Sequence, residues 1–486
     1  MTSAFAVHHV QQRGRPIGRV IRVATVHAAL LALSESPEAR FLSGGTDLLL
    51  DLQRGGPGPA VDVVDLSSID GFDAIDDAGD HWRLAGGVTH NQVIAHEELR
   101  STALPLAQAC LEIGSPQLRN RATIAGNIAT ASPANDSISA LMALDASVEV
   151  ATLEADQSVS TELTPIREFF TGFRTTVLNA GQLISAVIVP KLTASQRGIW
   201  VKLGLRKAQA ISVVHAGLVI DLDDNGTVTS AALAMGSVAA TVVMLEAIDG
   251  VTGSQLDDVV VKSTAQAVAD SISPITDGRA TAEYRRDAVV SLIERSLTTL
   301  AANTQASMWP TSPPTLRVDG AESSGTVRPG VLRPEDDINI TVNGTQVSSP
   351  NSTNNLLDWV RDEAGLSGMK EGCAEGECGA CTMVVDGAAV MSCLVTAAQA
   401  DGQMVTTVEG LDHPIQQAFV DDFAVQCGFC IPGFLVAGAQ LIGECPEPSE
   451  DQIKLGLSGN LCRCTGYYPI EQAIRDAAVE VRRTHG

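Results

Sequence analysis

"EGCAEGECGACT", residues 371–382, sets three cysteines within nine positions and threads them with glycine. Cys373, Cys378 and Cys381 follow C-x4-C-x2-C, the spacing of a plant-type [2Fe-2S] loop that takes its fourth thiolate from further along the chain. The next stretch, "TMVVDGAAVMS", carries Asp386-Gly387 between two β-like runs, a strong two-residue hairpin turn. That hairpin brings Cys393 back beside Cys381 and makes it the expected fourth ligand. Gly372, Gly376 and Gly379 allow positive φ and let backbone N–H groups approach the sulfurs, which stabilises an anionic cluster. A structural zinc site also takes four thiolates, but zinc ribbons usually pair two C-x2-C knuckles, so this glycine-laced loop favours iron-sulfur.

A second set follows. "QCGFCIPG" supplies Cys427 and Cys430, and "GNLCRCTG" supplies Cys462 and Cys464; Pro432 and Pro469 mark helix starts just after each pair. Thiolates near helix N-termini meet the positive end of the peptide dipole, which favours ionised sulfur. Spacing alone leaves zinc open for this set. Cys110 and Cys445 match no ligand position and read as packing or surface residues.

The two sets, in this order, resemble the iron-sulfur part of the molybdenum hydroxylases, the xanthine dehydrogenase and aldehyde oxidoreductase family, over residues 338–475. The resemblance implies one [2Fe-2S] cluster in a ferredoxin-like β-grasp domain and a second in a four-helix domain, and places Gln426 close to a partner's molybdopterin. Ile431 stands where relatives commonly have threonine, which bears on local packing or tuning only.

Upstream there is no G-x-G-x-x-G and no G-x4-G-K-[ST]. Two other glycine loops occur, "FLSGGTDLLL" at 41–50 and "TIAGNIATASPANDS" at 123–137. Small residues there let successive N–H groups face a phosphate, with Thr46 adding a hydroxyl, although either loop alone is more often an ordinary turn. With "IGSPQLRNRATIAGN" and "WVKLGLRKAQAISVVHAG", they resemble the flavin part of the same family, including its CO dehydrogenase-like members. That resemblance implies an FAD site lined by Phe41, Leu42, Ser43, Gly44, Gly45, Thr46, Asp47 and Leu48, by Thr123, Ile124, Ala125, Gly126 and Asn127, and by Ile113, Asp136, Ile184 and Lys202. Taken by itself, Lys202 reads as a solvated surface lysine. Ala125 replaces a commoner glycine, and its methyl would cost on the order of 1 kcal/mol if the position needed positive φ.

At 486 residues the chain is expected to hold about three domains. The balance of 57 acidic against 32 basic residues, a formal charge of -25, repels phosphate backbones and anionic lipid surfaces. Aromatic residues, at 3%, leave few base-stacking platforms, so nucleic acid is not an expected partner. No export signal and no apolar run long enough to span a membrane is visible, and the ten cysteines suit a reducing compartment, so a cytoplasmic protein is expected. The fold class expected is multidomain α+β: an FAD-binding part at 1–194, its second subdomain at 195–309, a Pro/Gly/Ser-rich extended linker at 310–337, the β-grasp domain at 338–411 and the helical domain at 412–486. Many fused relatives begin with iron-sulfur; here the flavin part comes first.

Nothing in this sequence remains to build a molybdenum-binding domain. The resemblance therefore implies an oxidoreductase chain, the electron-transfer subunit of a heteromeric molybdenum hydroxylase, holding FAD and two [2Fe-2S] clusters beside a large subunit with molybdopterin-molybdenum, as a dimer of heterodimers. NAD, a quinone or oxygen would be the final acceptor, and no catalytic residue is assigned. The alternatives are a self-sufficient NAD(P)H-dependent flavin/iron-sulfur reductase and a non-enzymatic zinc scaffold.

Overall fold

The β-like run "IGRVIR" forms the strand Ile17–Arg22, and the chain then alternates helix and strand: Val26–Glu35, Arg40–Leu42, Leu48–Arg54, Val61–Asp65. The structure, a computed structural model, describes residues 14–318, 329–351 and 355–485. The three strands are parallel, with Val61–Asp65 in the middle and Val63, Val64 and Leu42 fully buried. Short helical crossovers produce this parallel order. A fourth strand, Gly330–Leu332, joins antiparallel at the edge of Ile17–Arg22.

By contacts the chain divides into two compact units, one running to Asp70 and resuming at Leu316, the other Gly71–Thr315. The sequence reading keeps 1–194 together, yet residues up to Asp70 group with the cysteine-bearing part. The edge strand explains this, together with an Arg22–Asp401 ion pair at 2.7 Å. The linker also differs from expectation, because both ends pair. Val318 N–H donates to Gly387 C=O and Ala389 N–H to Leu316 C=O, while the Leu316 side chain is fully buried among the C-terminal helices. Its central residues, 319–328, lie outside those described.

From Asp337 the expected β-grasp sheet forms, in the order Thr345–Pro350, Asp337–Val342, Met404–Thr406, Thr382–Val385, Ala388–Met391. Asn343-Gly344 and Asp386-Gly387 make its hairpin turns, with φ of +50°, +78°, +42° and +77°, the positive pairs that match a two-residue turn to strand twist. The helix Leu356–Asp362 covers one face with Leu356, Leu357, Trp359 and Val360. Four helices follow, Ile415–Asp421, Ile431–Glu444, Glu450–Gly456 and Tyr468–His485, closed on Phe419, Phe434, Ile453 and Ile474.

Among the described residues, the unit Gly71–Thr315 holds a two-stranded sheet, Phe170–Gly172 with Thr175–Thr176, and two large antiparallel sheets. One has the order Ile75–Asp77, His81–Ala85, Gln182–Pro190, Ser147–Leu153, Val159–Pro165. The other runs Gln196–Gly204, Ser212–Leu222, Val228–Gly236, Val243–Met244 and packs helices Asp258–Ser271 and Ala282–Ala301 around Leu218, Leu233, Val268 and Ile293. The expected boundary at 194/195 falls between these sheets. Among the described residues, no helix is long and apolar enough to cross a membrane.

Candidate iron-sulfur and flavin sites

The first thiol set is assembled by the Asp386-Gly387 hairpin. Thr382 pairs with Met391, so the chain returns Cys393 to Cys381, and their Sγ atoms lie 3.4 Å apart. Cys373 Sγ accepts N–H bonds from Glu375 and Glu377, both at 3.3 Å. The Gly376 N–H is directed at Cys393 and the Ala380 N–H at Cys378. A hydrogen bond from Cys378 holds the Cys373 thiol well below its ordinary range; burial opposes it, and the two glutamate N–H groups reinforce it. Four free thiols already aimed at by backbone donors fit an anionic iron-sulfur group.

In the second set, Cys430 is the N-cap of Ile431–Glu444, with Pro432 in the first turn. Cys430 faces Cys462, and Cys427 faces Cys464. Cys462 Sγ accepts from the Cys464 N–H at 3.4 Å, the Thr465 N–H at 3.5 Å and the Thr465 hydroxyl at 3.2 Å. These donors hold Cys462 below its ordinary value against burial. Burial, and then Cys462, push the Cys430 thiol up to about 12. Ile431 packs into the helical core, where an apolar side chain suits. Cys445 caps the far end of the same helix, and Cys110 is fully buried in a different core.

The two sets meet backbone to backbone. Leu461 N–H donates to Cys378 C=O at 3.0 Å, and Asn460 Nδ2 donates to Gly379 C=O at 3.2 Å. A Cβ on Gly433 would stand 2.0 Å from that Gly379 oxygen. Cys427, Cys464 and Gln426 are exposed, and so are Phe423 (83%), Phe429, Leu461 and Tyr468 (82%). Sequence reasoning misses Asn460, Leu461 and Thr465. The available signal is a polar residue flanking each end of "LCRC".

The proposed flavin residues fall in both units. In the first, Leu42 and Leu48 are core side chains, Thr46 is half-buried, Asp47 is exposed and Gly45 has φ of +81°. In the second, Thr123 caps the helix Ile124–Thr130 by accepting from Gly126 N–H at 3.0 Å. Ala125 lies inside that helix, without positive φ, so its methyl carries no backbone cost. Ser137 Oγ donates to Asn127 Oδ1 at 2.6 Å, and Asp136 accepts from Ser212 Oγ and from Lys202 Nζ, the latter at 2.6 Å. Lys202 Nζ also reaches the carbonyl of Glu112, next to Ile113. Lys202 is thus buried in an ion pair rather than solvated. Ile184 is a buried residue of the strand Gln182–Pro190. Gly44-Gly45 in the one unit and the Thr123-capped helix start in the other each offer the small residues that suit a phosphate-bearing cofactor.

Four family models match: "FAD binding domain in molybdopterin dehydrogenase" over residues 14–192, "CO dehydrogenase flavoprotein C-terminal domain" over 200–300, "2Fe-2S iron-sulfur cluster binding domain" over 340–407 and "[2Fe-2S] binding domain" over 407–475. The chain is 43% identical over 155 residues to the nicotine 6-hydroxylase small subunit of Paenarthrobacter nicotinovorans, covering 31% of this chain and 94% of that protein. It is 43% identical over 148 residues to the nicotinate dehydrogenase small FeS subunit of Eubacterium barkeri, covering 29% and 93%. The solved structure of a reconstituted CO dehydrogenase from Oligotropha carboxidovorans shares its fold, with a TM-score of 0.55 at 24% identity over 60% of this chain and 99% of that one.

Proposed function

The chain belongs to the molybdenum hydroxylase family and carries its FAD-binding and two [2Fe-2S]-binding domains in one polypeptide, and we propose that it takes electrons from molybdopterin on a large partner subunit and passes them through the helical-domain cluster and the β-grasp cluster to FAD. It is an oxidoreductase component, an electron-transfer subunit. Cys427, Cys430, Cys462 and Cys464 would hold one cluster, and Cys373, Cys378, Cys381 and Cys393 the other. The loops at 41–48 and 123–127, with Ile113, Asp136, Ile184 and Lys202, each take part in FAD binding. Once bound, the clusters supply one-electron carriers and the flavin a carrier that accepts singly and discharges in pairs.

The residues themselves hold and shield. N–H donors from Glu375, Glu377 and Thr465 stabilise negative charge on sulfur. The Leu461–Cys378 bond keeps the two thiol sets adjacent, and this contact is the observation that carries the reading. The exposed side chains of Phe423, Phe429 and Tyr468, close in sequence to Cys427 and Cys464, support a large subunit seated there, since exposed apolar side chains beside a functional group mark interaction sites. Assembly as a dimer of heterodimers, with NAD, a quinone or oxygen as acceptor and residence in the cytoplasm, completes the proposal. Ten free thiols are in keeping with a reducing compartment.

Purification of the native complex tests it. A co-purifying large chain with molybdenum, together with FAD and labile sulfide, is the expected result. Flavin and clusters without a large subunit, reducing an acceptor from NADH, would favour the self-sufficient reductase. A colourless zinc protein would overturn both.

A further inference from the structure

Gln399, six residues past the ligand Cys393, is almost fully buried at 2% exposure. Its Nε2 donates to Ser43 C=O at 3.1 Å and to Asp65 Oδ1 at 3.0 Å. Ser43 lies in the glycine loop 41–48, and Asp65 closes the central strand beneath it. Asp65 is fully buried; its Oδ1 also accepts from Ser67 N–H and Oγ, and its Oδ2 has no partner among the described residues. Beside this contact, Leu394 C=O stands 3.2 Å from where a Cβ on Gly45 would be, so the residue next to a cluster ligand packs on the glycine of the loop. Both acceptors are oxygens in a buried place, and a side-chain amide offers two donors from one nitrogen. A carboxylate there would set a third acceptor against two others.

We propose that Gln399 is a positioning residue, a latch that holds the β-grasp domain on the glycine loop and fixes the gap across which electrons pass from the Cys393 cluster to the flavin. The inference rests on the function proposed above. The test uses the full chain loaded with FAD and both clusters, as wild type, Gln399→Glu and Gln399→Met. Cluster-to-flavin electron equilibration is timed after photoreduction, the magnetic coupling between the two one-electron-reduced centres is measured by EPR, and FAD and iron contents are assayed.

Both variants are expected to keep their cofactors, transfer about tenfold or more slowly, as displacement of a positioned group by an ångström does, and show weakened coupling. Gln399→Glu should recover in acid, where the protonated carboxyl donates again, while Gln399→Met should not. Wild-type rate and coupling in both variants would overturn the latch alone. So would loss of FAD with a wild-type rate in the fraction that retains it. A wild-type protein that binds neither flavin nor clusters would overturn the proposed function and the latch with it.

Discussion

The N–H of Leu461 donates to the carbonyl of Cys378 at 3.0 Å. Cys378 belongs to the first thiol set and Leu461 immediately precedes Cys462 of the second, so one hydrogen bond joins the backbones of two cysteine loops more than 80 residues apart in sequence. Gly433 permits this approach, because the helix Ile431–Glu444 presents no Cβ to Gly379 C=O there.

Gly433→Ala would place a methyl 2.0 Å from the Gly379 oxygen. Backbone cannot yield as a flexible side chain can, so the helix must shift, at about 1–3 kcal/mol. We expect a lower urea midpoint and slower electron exchange between the two clusters, with iron content preserved.

Cys393→Ser and Cys445→Ser separate a proposed cluster ligand from a packing cysteine. Serine at 393 removes the sulfur that sits 3.4 Å from Cys381, and the protein should lose about half its labile sulfide, one of two [2Fe-2S] centres. The Cys445→Ser variant should leave both EPR signals intact, since Cys445 caps the end of Ile431–Glu444 opposite Cys430.

What the sequence discloses is local. Asp386-Gly387 and Asn343-Gly344 fix strand register through two-residue turns, and the register delivers Cys393. Cysteine spacing and proline at helix starts are equally local. The pairing of both linker ends, and the tie from Gln399 to Asp65 across 334 residues, have no short-range pattern to announce them. Nor does the partial burial of Cys430 against the helical core, which raises its thiol.

Thr465→Val keeps the shape of the side chain and deletes the hydroxyl that donates to Cys462 at 3.2 Å, leaving the N–H bonds from Cys464 and Thr465. Fewer donors stabilise a reduced, more negative cluster less well. The potential of the helical-domain cluster should move negative in a redox titration while the other cluster's stays put.

Lys202 and Asp136 form a buried pair, with side chains 6% and 5% exposed. Lys202→Met strands a carboxylate in the core, and removing one partner of such a pair costs about 3–5 kcal/mol. Lys202→Met with Asp136→Leu should recover much of that stability. If the pair also takes part in FAD binding, FAD affinity measured by fluorescence titration stays weak in the double variant.

His90 links stability to acid. It is fully buried, 3.4 Å from Cys110 Sγ, and its Nε2 has no partner among the described residues. Burial first, and then the charge of Arg119, lower its pKa from 6.5 to about 3 on folding. The unfolded imidazole therefore takes a proton at higher pH than the folded one. Its contribution is fully present above pH 6.5 and is lost progressively as pH falls toward about 3. Denaturant titrations of wild type and His90→Gln should run parallel at neutral pH. Between about pH 6 and pH 4 the wild type should lose stability more steeply, by up to about 1.4 kcal/mol per pH unit, and parallel slopes there would show that His90 does not set the acid limit.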